Sequence, residues 1–290
     1  AALSLAIAEA ASAAKRFTLL LTADSQSAER LEQELSFFAP DLPVLHFPDW
    51  ETLPYDLFSP HQDIISQRIA SLYRLPELAH GVLVVPITTA LHRLAPTKFL
   101  LGSSLVLDIG QKLDVEQMRT RLEASGYRCV DTVYEHGEFA VRGIDKVESI
   151  KLLPAREFPL QKDAVTRFKA RFRERFDVDF RRCPIFQDLS SGITPAGIEY
   201  YLPLFFDETS TLFDYLPGDT QVFSLPGIEQ AAEHFWKDVR TRYEERRVDP
   251  ERPLLPPAEL FMAVEDCFAH LKLWPRIVAS QDDVETGIGR

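Results

Sequence analysis

The sequence predicts an α/β protein: a parallel sheet in the first hundred residues, then a small α+β insert, then a mostly helical third part. Apolar runs of strand length alternate with helical periodicity up to about residue 104. Such alternation is typical of a parallel sheet with helices over both faces. The pattern then changes to short strands around one helix, and from residue 155 it becomes largely helical. We expect domains at 1–104 with a returning strand at 276–280, at 105–154 and at 155–275.

The first part is predicted to contain three strand-helix units. Each strand is a run of apolar residues, and each helix is marked by apolar residues three or four positions apart. The second helix ends before Pro76, because proline has no N–H to continue the helical hydrogen bonds. The predicted strands are 17–22, 44–47 and 82–85, and the predicted helices are 28–38, 65–73 and 88–93.

The insert has few strands, and a sheet this small buries little apolar surface. The predicted elements are strands at 105–107, 128–130, 139–142 and 149–152 and a helix marked by Val115, Met118 and Leu122. Because Gly143 passes directly into Ile144, we expect residues to be missing at this point, either deleted or hidden by the numbering.

Three apolar stripes predict long helices in the third part. A strand is predicted at 221–224, and a last strand at 276–279 is expected to return to the first sheet. The stripes run through Val165, Phe168, Phe172 and Phe176; through Ile228, Ala232, Phe235, Val239 and Tyr243; and through Leu260, Val264, Phe268 and Leu271.

Composition argues against several classes of protein. The chain has 44 acidic and 32 basic residues among 290, a formal net charge of −12, which opposes general attraction to nucleic-acid phosphates. No apolar run reaches the roughly 18 residues of a membrane span. The alanine-rich start carries Glu9 and no basic region, so we interpret it as a helix and not a signal peptide. Because the chain begins with Ala1 and not Met, we expect it to be part of something longer.

Cysteine usage predicts a reducing, cytoplasmic environment. The three cysteines, Cys129, Cys183 and Cys267, are far apart and odd in number. Neither a disulfide framework nor a cysteine zinc site is therefore expected.

Common catalytic patterns are not found. A nucleotide-binding sheet needs a G-x-x-x-x-G-K-[ST] turn to hold phosphates, and the sequence has none. The strand at 221–224 is followed by Leu225-Pro226-Gly227, where acidic residues would be needed to hold magnesium. The seven histidines lack metal-ligand spacing, and no G-x-S-x-G turn offers a nucleophile. We predict no catalytic residue, no cofactor and no metal.

Two basic features are candidates for partner binding. One is the helix in which Phe168, Phe172 and Phe176 are interleaved with Arg167, Lys169, Arg171, Arg173 and Arg175. Aromatic and basic side chains together bind single strands, but a repeat of four is also that of a buried stripe with a solvated outer face, which we favour. The other is Arg142, at the end of an edge-like strand. Its guanidinium could bind a partner carboxylate through two hydrogen bonds, or form a surface salt bridge.

Six motifs occur in a fixed order along the chain. They are Trp50-Glu51-Thr52-Leu53-Pro54-Tyr55-Asp56, Ser59-Pro60-His61-Gln62-Asp63-Ile64-Ile65-Ser66, Phe139-Ala140-Val141-Arg142-Gly143, Leu153-Pro154-Ala155, Gly197-Ile198-Glu199-Tyr200 and Thr211-Leu212-Phe213-Asp214-Tyr215-Leu216-Pro217. Together they closely resemble the N-terminal region of the bacterial transcription-repair coupling factors (Mfd), over nearly the whole chain. That region is similar to the excision-repair protein UvrB. The resemblance implies a degenerate RecA-like, P-loop-like fold with domains called 1a, 2 and 1b, here 1–104, 105–154 and 155–275.

The resemblance also implies a docking function. In the family this module binds the damage-recognition ATPase UvrA through domain 2, which delivers repair to stalled RNA polymerase. The motor and the parts that contact polymerase and DNA lie further along, and no functional P-loop is present in the module. The DNA-clamping hairpin of UvrB is expected to be missing before the helix at Ile64. Of the family's UvrA-contacting residues only Arg142 carries over, because the sequence departs from the family after Gly143.

Three alternatives stay open. A P-loop upstream of Ala1 would favour a UvrB-type damage-verifying helicase. Salt-sensitive binding of oligonucleotides would favour a single-stranded DNA-binding module that uses the Phe168 helix. Turnover of a small substrate would favour an unrelated α/β enzyme.

Overall fold

The computed structural model describes residues 2–108, 114–134, 136–140 and 149–279. Nine strands lie in this part of the chain. They are β1 (Phe17–Thr22), β2 (Val44–His46), β3 (Gly81–Pro86), β4 (Leu105–Asp108), β5 (Arg128–Cys129), β6 (Glu138–Phe139), β7 (Ser149–Leu152), β8 (Thr220–Ser224) and β9 (Arg276–Val278).

Eleven α-helices and four short 3₁₀ helices lie in the same described residues. The α-helices are α1 (Ala2–Ala14), α2 (Ser25–Phe38), α3 (Gln62–Arg74), α4 (Ile87–Ala90), α5 (Thr97–Gly102), α6 (Val115–Ala124), α7 (Lys162–Arg175), α8 (Pro184–Ser190), α9 (Ile228–Arg246), α10 (Pro257–Leu260) and α11 (Val264–Leu271). The 3₁₀ helices are Leu75–Glu77, Phe180–Arg182, Ile198–Phe205 and Leu212–Asp214.

The main sheet is parallel, with strand order β2-β3-β1-β8-β9. At its centre Leu19 of β1 lies between Leu83 of β3 and Val222 of β8. Every residue of β1 and β3 is buried, as expected for central strands whose two faces are both covered. This burial explains why both strands consist mostly of apolar residues. The predicted α/β class with a parallel sheet is confirmed.

Helices cover both faces of this sheet. On one face Leu20 and Val84 belong to a core with α1 and α2. On the other face Leu19, Leu21 and Val85 belong to a larger core that includes α3 and most of the third part. The alternation of adjacent strand residues between opposite faces divides the apolar side chains between the two cores.

The third predicted stripe is wrong as a single helix. Leu260 ends α10, and α11 begins at Val264, because the backbone between them is extended. This connection pairs with the chain that follows α4: Met262 N donates to Leu91 O at 2.7 Å, and Arg93 N donates to Leu260 O at 2.8 Å. These bonds replace the helical ones.

Strands from the end of the chain complete the first sheet. β8 lies within the predicted 155–275 domain, yet it pairs with β1, and β9 pairs with β8. The larger core is a single cluster of buried side chains whose members range from Phe17 to Leu271. Residues 1–104 and 155–275 therefore share a sheet and a core, and the division into domains remains a prediction.

The irregular segment 47–61, between β2 and α3, is held by arginines of the third part. Tyr55, at a φ of +60°, is buried and donates to Leu255 O at 2.9 Å. Three guanidiniums then donate to consecutive backbone carbonyls: Arg242 to Pro54 O at 2.6 Å, Arg246 to Tyr55 O at 3.0 Å and Arg252 to Asp56 O at 3.0 Å. The segment contains no strand.

A fully buried ion pair joins α3 to residue 157. Arg68 Nε lies 2.8 Å from Glu157 Oε1, and Arg68 Nη1 donates to Pro48 O at 2.8 Å. The guanidinium lies 4.2 Å from the centre of the Phe47 ring. Trp50 Nε1 donates to the second Glu157 oxygen at 3.3 Å. Each charge is therefore compensated by its partner and by further hydrogen bonds.

A second buried carboxyl lies nearby. Ser59 Oγ donates to Glu199 Oε2 at 2.8 Å and accepts from Gly197 N at 3.0 Å. Burial raises the pKa of Glu199 to about 7, against the lowering effects of the Ser59 hydrogen bond and the Arg156 charge. Glu199 thus changes charge near neutral pH.

We predict that Arg68→Met destabilises the chain by about 3–5 kcal/mol, because it leaves Glu157 buried without its cation. The double variant Arg68→Met/Glu157→Gln should recover much of this loss, since no buried charge remains. Urea unfolding measures both. The control is Arg119→Ala, which breaks the exposed Arg119–Glu123 pair and should cost less than about 1 kcal/mol. Additive costs in the double variant would contradict the prediction.

We also predict that the stability of the chain falls as pH rises through the titration of Glu199. A raised carboxyl pKa means that the folded state holds a proton that the unfolded state has lost. The stabilisation that comes from this proton is complete below pH 4.5 and is lost as the pH rises through about 7, the pKa of Glu199 in the folded chain. Glu199→Gln should therefore match wild type at pH 4 and exceed its unfolding free energy at pH 8, by up to about 3 kcal/mol.

Urea unfolding at the two pH values measures this difference. The exposed Glu208→Gln variant serves as control. Parallel pH profiles for wild type and Glu199→Gln would show that Glu199 does not carry the effect.

Candidate functional site

The residues from β4 to just beyond β7 form a small unit beside the main sheet; we call 105–157 the insert segment. β4 and β7 are antiparallel, with Leu105 opposite Leu152 and Asp108 opposite Ser149. Neither strand joins the five-stranded sheet. The chain therefore leaves and re-enters the main body through two adjacent strands.

The helix of the insert segment buries little of its surface. Asp114 caps α6 by accepting from Gln117 N at 3.0 Å. Leu122 is the buried residue of the helix, whereas Val115 at its start is 48% exposed. Since one buried side chain makes a small core, most of the α6 surface remains available for contact with another molecule.

Two hydrogen bonds join the end of α6 to residues 153–155, which follow β7. Ala155 N donates to Ser125 O at 2.9 Å, just after α6. Tyr127 Oη donates to Leu153 O at 2.7 Å. The Leu153-Pro154-Ala155 motif therefore holds the end of α6 in place.

Two glycines allow close packing inside the insert segment and against Gln62 of α3. Gly126 has a φ of +90°, and a Cβ there would lie 2.7 Å from Cγ of Arg156. Gly137 has a φ of +84° and lies against Ala155 and Gln62. Larger residues would be strained at both positions, so these glycines determine how the unit packs.

Ionisable groups surround this contact. Burial lowers the pKa of the Arg156 guanidinium, and the nearby Glu199 carboxyl acts in the opposite direction. Burial also lowers the pKa of His136, against the effect of Asp63. The contact between insert segment and main body is therefore partly polar and dehydrated.

The outer surface of the insert segment is formed around β5 and β6. Arg128 forms an ion pair with Glu138, whose other oxygen accepts from Tyr134 N at 2.9 Å. Tyr134 is 84% exposed and Val133 is 49% exposed. Exposed aromatic and apolar side chains next to a paired arginine are typical of a protein-binding surface.

Arg142, the predicted partner-contacting residue, lies outside the described residues, as does the Gly143–Ile144 junction. β6 ends at Phe139 and the description stops at Ala140. The role of Arg142 therefore stays a prediction. Sequence reasoning missed Tyr134; the polar residues around it were the available signal, since buried tyrosines are usually flanked by apolar positions.

The edge of the main sheet where α/β proteins bind nucleotides is acidic here. Asp24, directly after β1, accepts from the backbone N of Ser27 at 2.7 Å and so caps α2. Its carboxylate thus occupies the helix N-terminus at which a phosphate would bind. A cavity of about 480 Å³ beside it is lined by Asp24, Asp49, Asp238 and Arg242 among others. Three carboxylates against one guanidinium disfavour an anionic ligand.

The arginine-rich helix α7 presents its aromatic side chains to the core. Phe168 and Phe172 are fully buried and cannot stack on bases. Arg167 Nη1 donates to Phe205 O at 3.0 Å, and Arg171 donates to the carbonyl of the next residue. These contacts fit the predicted buried stripe with a solvated outer face.

Two further features bear on the class of protein. Within the described ranges, no three His, Cys, Asp or Glu side chains are grouped so that they could hold a metal ion. The helices of those ranges include none with the length and apolar character of a bilayer span.

Comparison with known proteins identifies the insert segment. Residues 105–157 match the UvrB interaction domain family. The match begins at the first residue of β4 and ends at Glu157, the partner of Arg68.

Similar proteins extend the likeness to nearly the whole chain. It is 42% identical to the transcription-repair-coupling factor of Escherichia coli K12 over 92% of this chain and 26% of that protein. It is 39% identical to the Haemophilus influenzae protein over 98% of this chain and 28% of that protein. It is 22% identical to the Bacillus subtilis protein over 69% of this chain and 21% of that protein. The chain thus spans about a quarter of the length of these curated relatives.

The alignment lengths show that the relatives have additional residues. The Escherichia coli alignment covers 305 positions but only 92% of 290 residues, which is about 267. The Haemophilus influenzae alignment covers 323 positions and 98%, about 284. In each case about 38 or 39 residues of the relative have no counterpart here.

Three observations point to the same family. They are the 42% identity to a relative over 92% of this chain, the UvrB interaction domain at 105–157 and the parallel α/β sheet. The chain belongs to the transcription-repair coupling factor family, in which it corresponds to the N-terminal, UvrB-like module.

Proposed function

We propose that this chain is a non-catalytic docking module that recruits UvrA, and with it nucleotide excision repair, to stalled RNA polymerase in the bacterial cytoplasm. The observation that carries the proposal is the match of the UvrB interaction domain to residues 105–157, because the same residues form the small unit beside the main sheet. A unit that buries little of its own surface is suited to partner binding.

The packing of the insert segment supports this function. The β4–β7 pair, the Ser125–Ala155 hydrogen bond and the close approach of Gly126 to Arg156 hold the segment together internally. Gly137 packs against Gln62 of α3, and Tyr134 is left exposed. A pre-positioned surface loses less entropy on association than a flexible one.

The docking surface of this chain is shortened, on our proposal, relative to that of its relatives. We assign the 38 or so unmatched residues of the relatives to a deletion between Gly143 and Ile144 in the insert segment, where the sequence departs from the family. The surface that remains contains Arg142, to which we assign a charge-assisted hydrogen bond with an acidic patch of UvrA.

We predict that Arg142→Ala weakens UvrA binding by about 1.5–3 kcal/mol, the range for losing a hydrogen bond to a charged group. Arg142→Glu should weaken it further, because it adds repulsion against the same carboxylates. Titration of UvrA with wild type and both variants at two salt concentrations measures this.

Arg181→Ala and Arg181→Glu are the matched controls, since Arg181 is an exposed arginine of the third part whose side chain is 81% accessible. They should bind UvrA like wild type. Equal affinities for all Arg142 variants would remove Arg142 from the interface, and an equal loss with Arg181 variants would indicate a general charge effect.

We further predict that the chain does not bind ATP. Asp24 caps the helix at which the phosphates would bind, and the adjoining cavity is acidic. Equilibrium dialysis with ATP and Mg²⁺ should detect no saturable binding up to millimolar nucleotide. Saturable micromolar binding would contradict the non-catalytic assignment and favour the UvrB-type alternative.

A further inference from the structure

The main sheet has an open edge at β9. This strand pairs with β8 on one side, and no other strand of the described chain lies on its other side. All three of its residues are exposed, with Ile277 at 50% and Val278 at 61%. Adjacent strand residues point to opposite faces, so both faces of the sheet are uncovered here. Parallel sheets are normally covered on both faces.

The backbone of β9 leaves hydrogen-bonding groups on the open side. Val222 N donates to Pro275 O at 2.8 Å, and Ala279 N donates to Ser224 O at 3.0 Å. Because backbone groups alternate between the two sides of a strand, residues 275, 277 and 279 face β8. The N–H and C=O groups of Arg276 and Val278 therefore point to the open edge, where they can pair with another strand.

A groove is lined by β9, by the end of α11 and by the chain from the end of β8 into α9. Arg276 and Val278, which lie on the same face of β9, line a cavity of about 410 Å³ together with Phe268, Leu271 and Lys272. The cavity thus combines apolar walls with two cationic side chains. Leu273, at the end of the helical part, is 81% exposed.

The charge of the groove differs from that of the chain as a whole. Neither Lys272 nor Arg276 forms an ion pair with any carboxylate in the described part of the chain. Glu229 also lines the groove, so the lining carries two cations and one carboxylate. The full chain carries a net charge of −12.

We propose that the β9 edge is a second docking surface, separate from the insert segment, which binds an extended acidic segment of a partner protein as an added strand. The partner's backbone pairs with Arg276 and Val278. Its apolar side chains contact Val278 and Phe268, and its carboxylates face Lys272 and Arg276. Backbone pairing provides affinity in such strand addition, and the alternate side chains provide specificity.

Charge favours this occupant over the alternatives. A second copy of this chain would bring its own Lys272 and Arg276 to the same edge, where like charges repel. A nucleic acid would bring phosphates to the cations but has no backbone N–H and C=O groups to pair with the strand.

The test uses fluorescein-labelled peptides and the full chain. The probe is the acidic peptide TVEVDVT, and its control is the basic peptide TVKVKVT. Anisotropy should show binding of the acidic peptide at least about tenfold tighter than the basic one. Lys272→Glu/Arg276→Glu should reverse this preference, since both cations become carboxylates.

Val278→Pro tests the backbone pairing, because it removes an N–H that faces the open side and not one that pairs with β8. It should weaken acidic-peptide binding at least about tenfold, while the matched Val278→Thr variant stays within about threefold of wild type. Circular dichroism and urea unfolding establish that the variants are folded.

Equal binding of both peptides, or unchanged binding by Val278→Pro, would overturn the proposal. Sedimentation showing a wild-type dimer that Val278→Pro dissolves would assign the edge to a second copy and also overturn it. Because β9 belongs to the main sheet and the strands of the insert segment form sheets of their own, UvrA binding that survives Val278→Pro separates this surface from the insert segment.

Discussion

The buried pair of Arg68 and Glu157 is the interaction on which the arrangement of the molecule depends. Arg68 lies on α3, which covers the main sheet, and Glu157 is the residue at which the insert segment returns to the main body. Charges buried in this way are tolerated only with good geometry and further hydrogen bonds. Pro48 and Trp50 supply those bonds. The pair therefore specifies where the insert segment rejoins the main body, because separating Glu157 from Arg68 would leave a buried charge unpaired.

The segment 47–61 connects this pair to the third part of the chain. Its backbone carbonyls accept from Arg242, Arg246 and Arg252, and Ser59 within it donates to Glu199. The first, second and third parts thus meet around one polar, largely dehydrated region. A base of this kind would suit the proposed docking function, because a binding surface that is held in one orientation before association loses less entropy.

Sequence patterns predicted the strands and helices whose buried faces are marked by apolar residues. They did not predict the features that depend on polar contacts between residues distant in the chain. β1 and β3 were predicted correctly because burial on both faces makes most of their residues apolar. The Phe168 stripe was interpreted correctly because its spacing matches a helix with one buried face. Arg68 could not be predicted as a core residue, since its partner is 89 positions away in the chain and both residues are of types that usually lie on the surface. The break between α10 and α11 depends on hydrogen bonds to residues 91–93, which periodicity does not contain. At the candidate site, the change of pattern after residue 104 indicated a small insert, which was predicted at 105–154, whereas its contacts through Gly126 and Gly137 required the structure.

Hydrogen–deuterium exchange of the chain with and without UvrA tests the central claim most directly, because it locates the interface without any substitution. We expect UvrA to slow exchange in the insert segment, above all between residues 114 and 140, and to leave exchange in α7 unchanged. Protection centred on α7 or on the acidic edge beside Asp24, with none in the insert segment, would contradict the assignment of docking to residues 105–157.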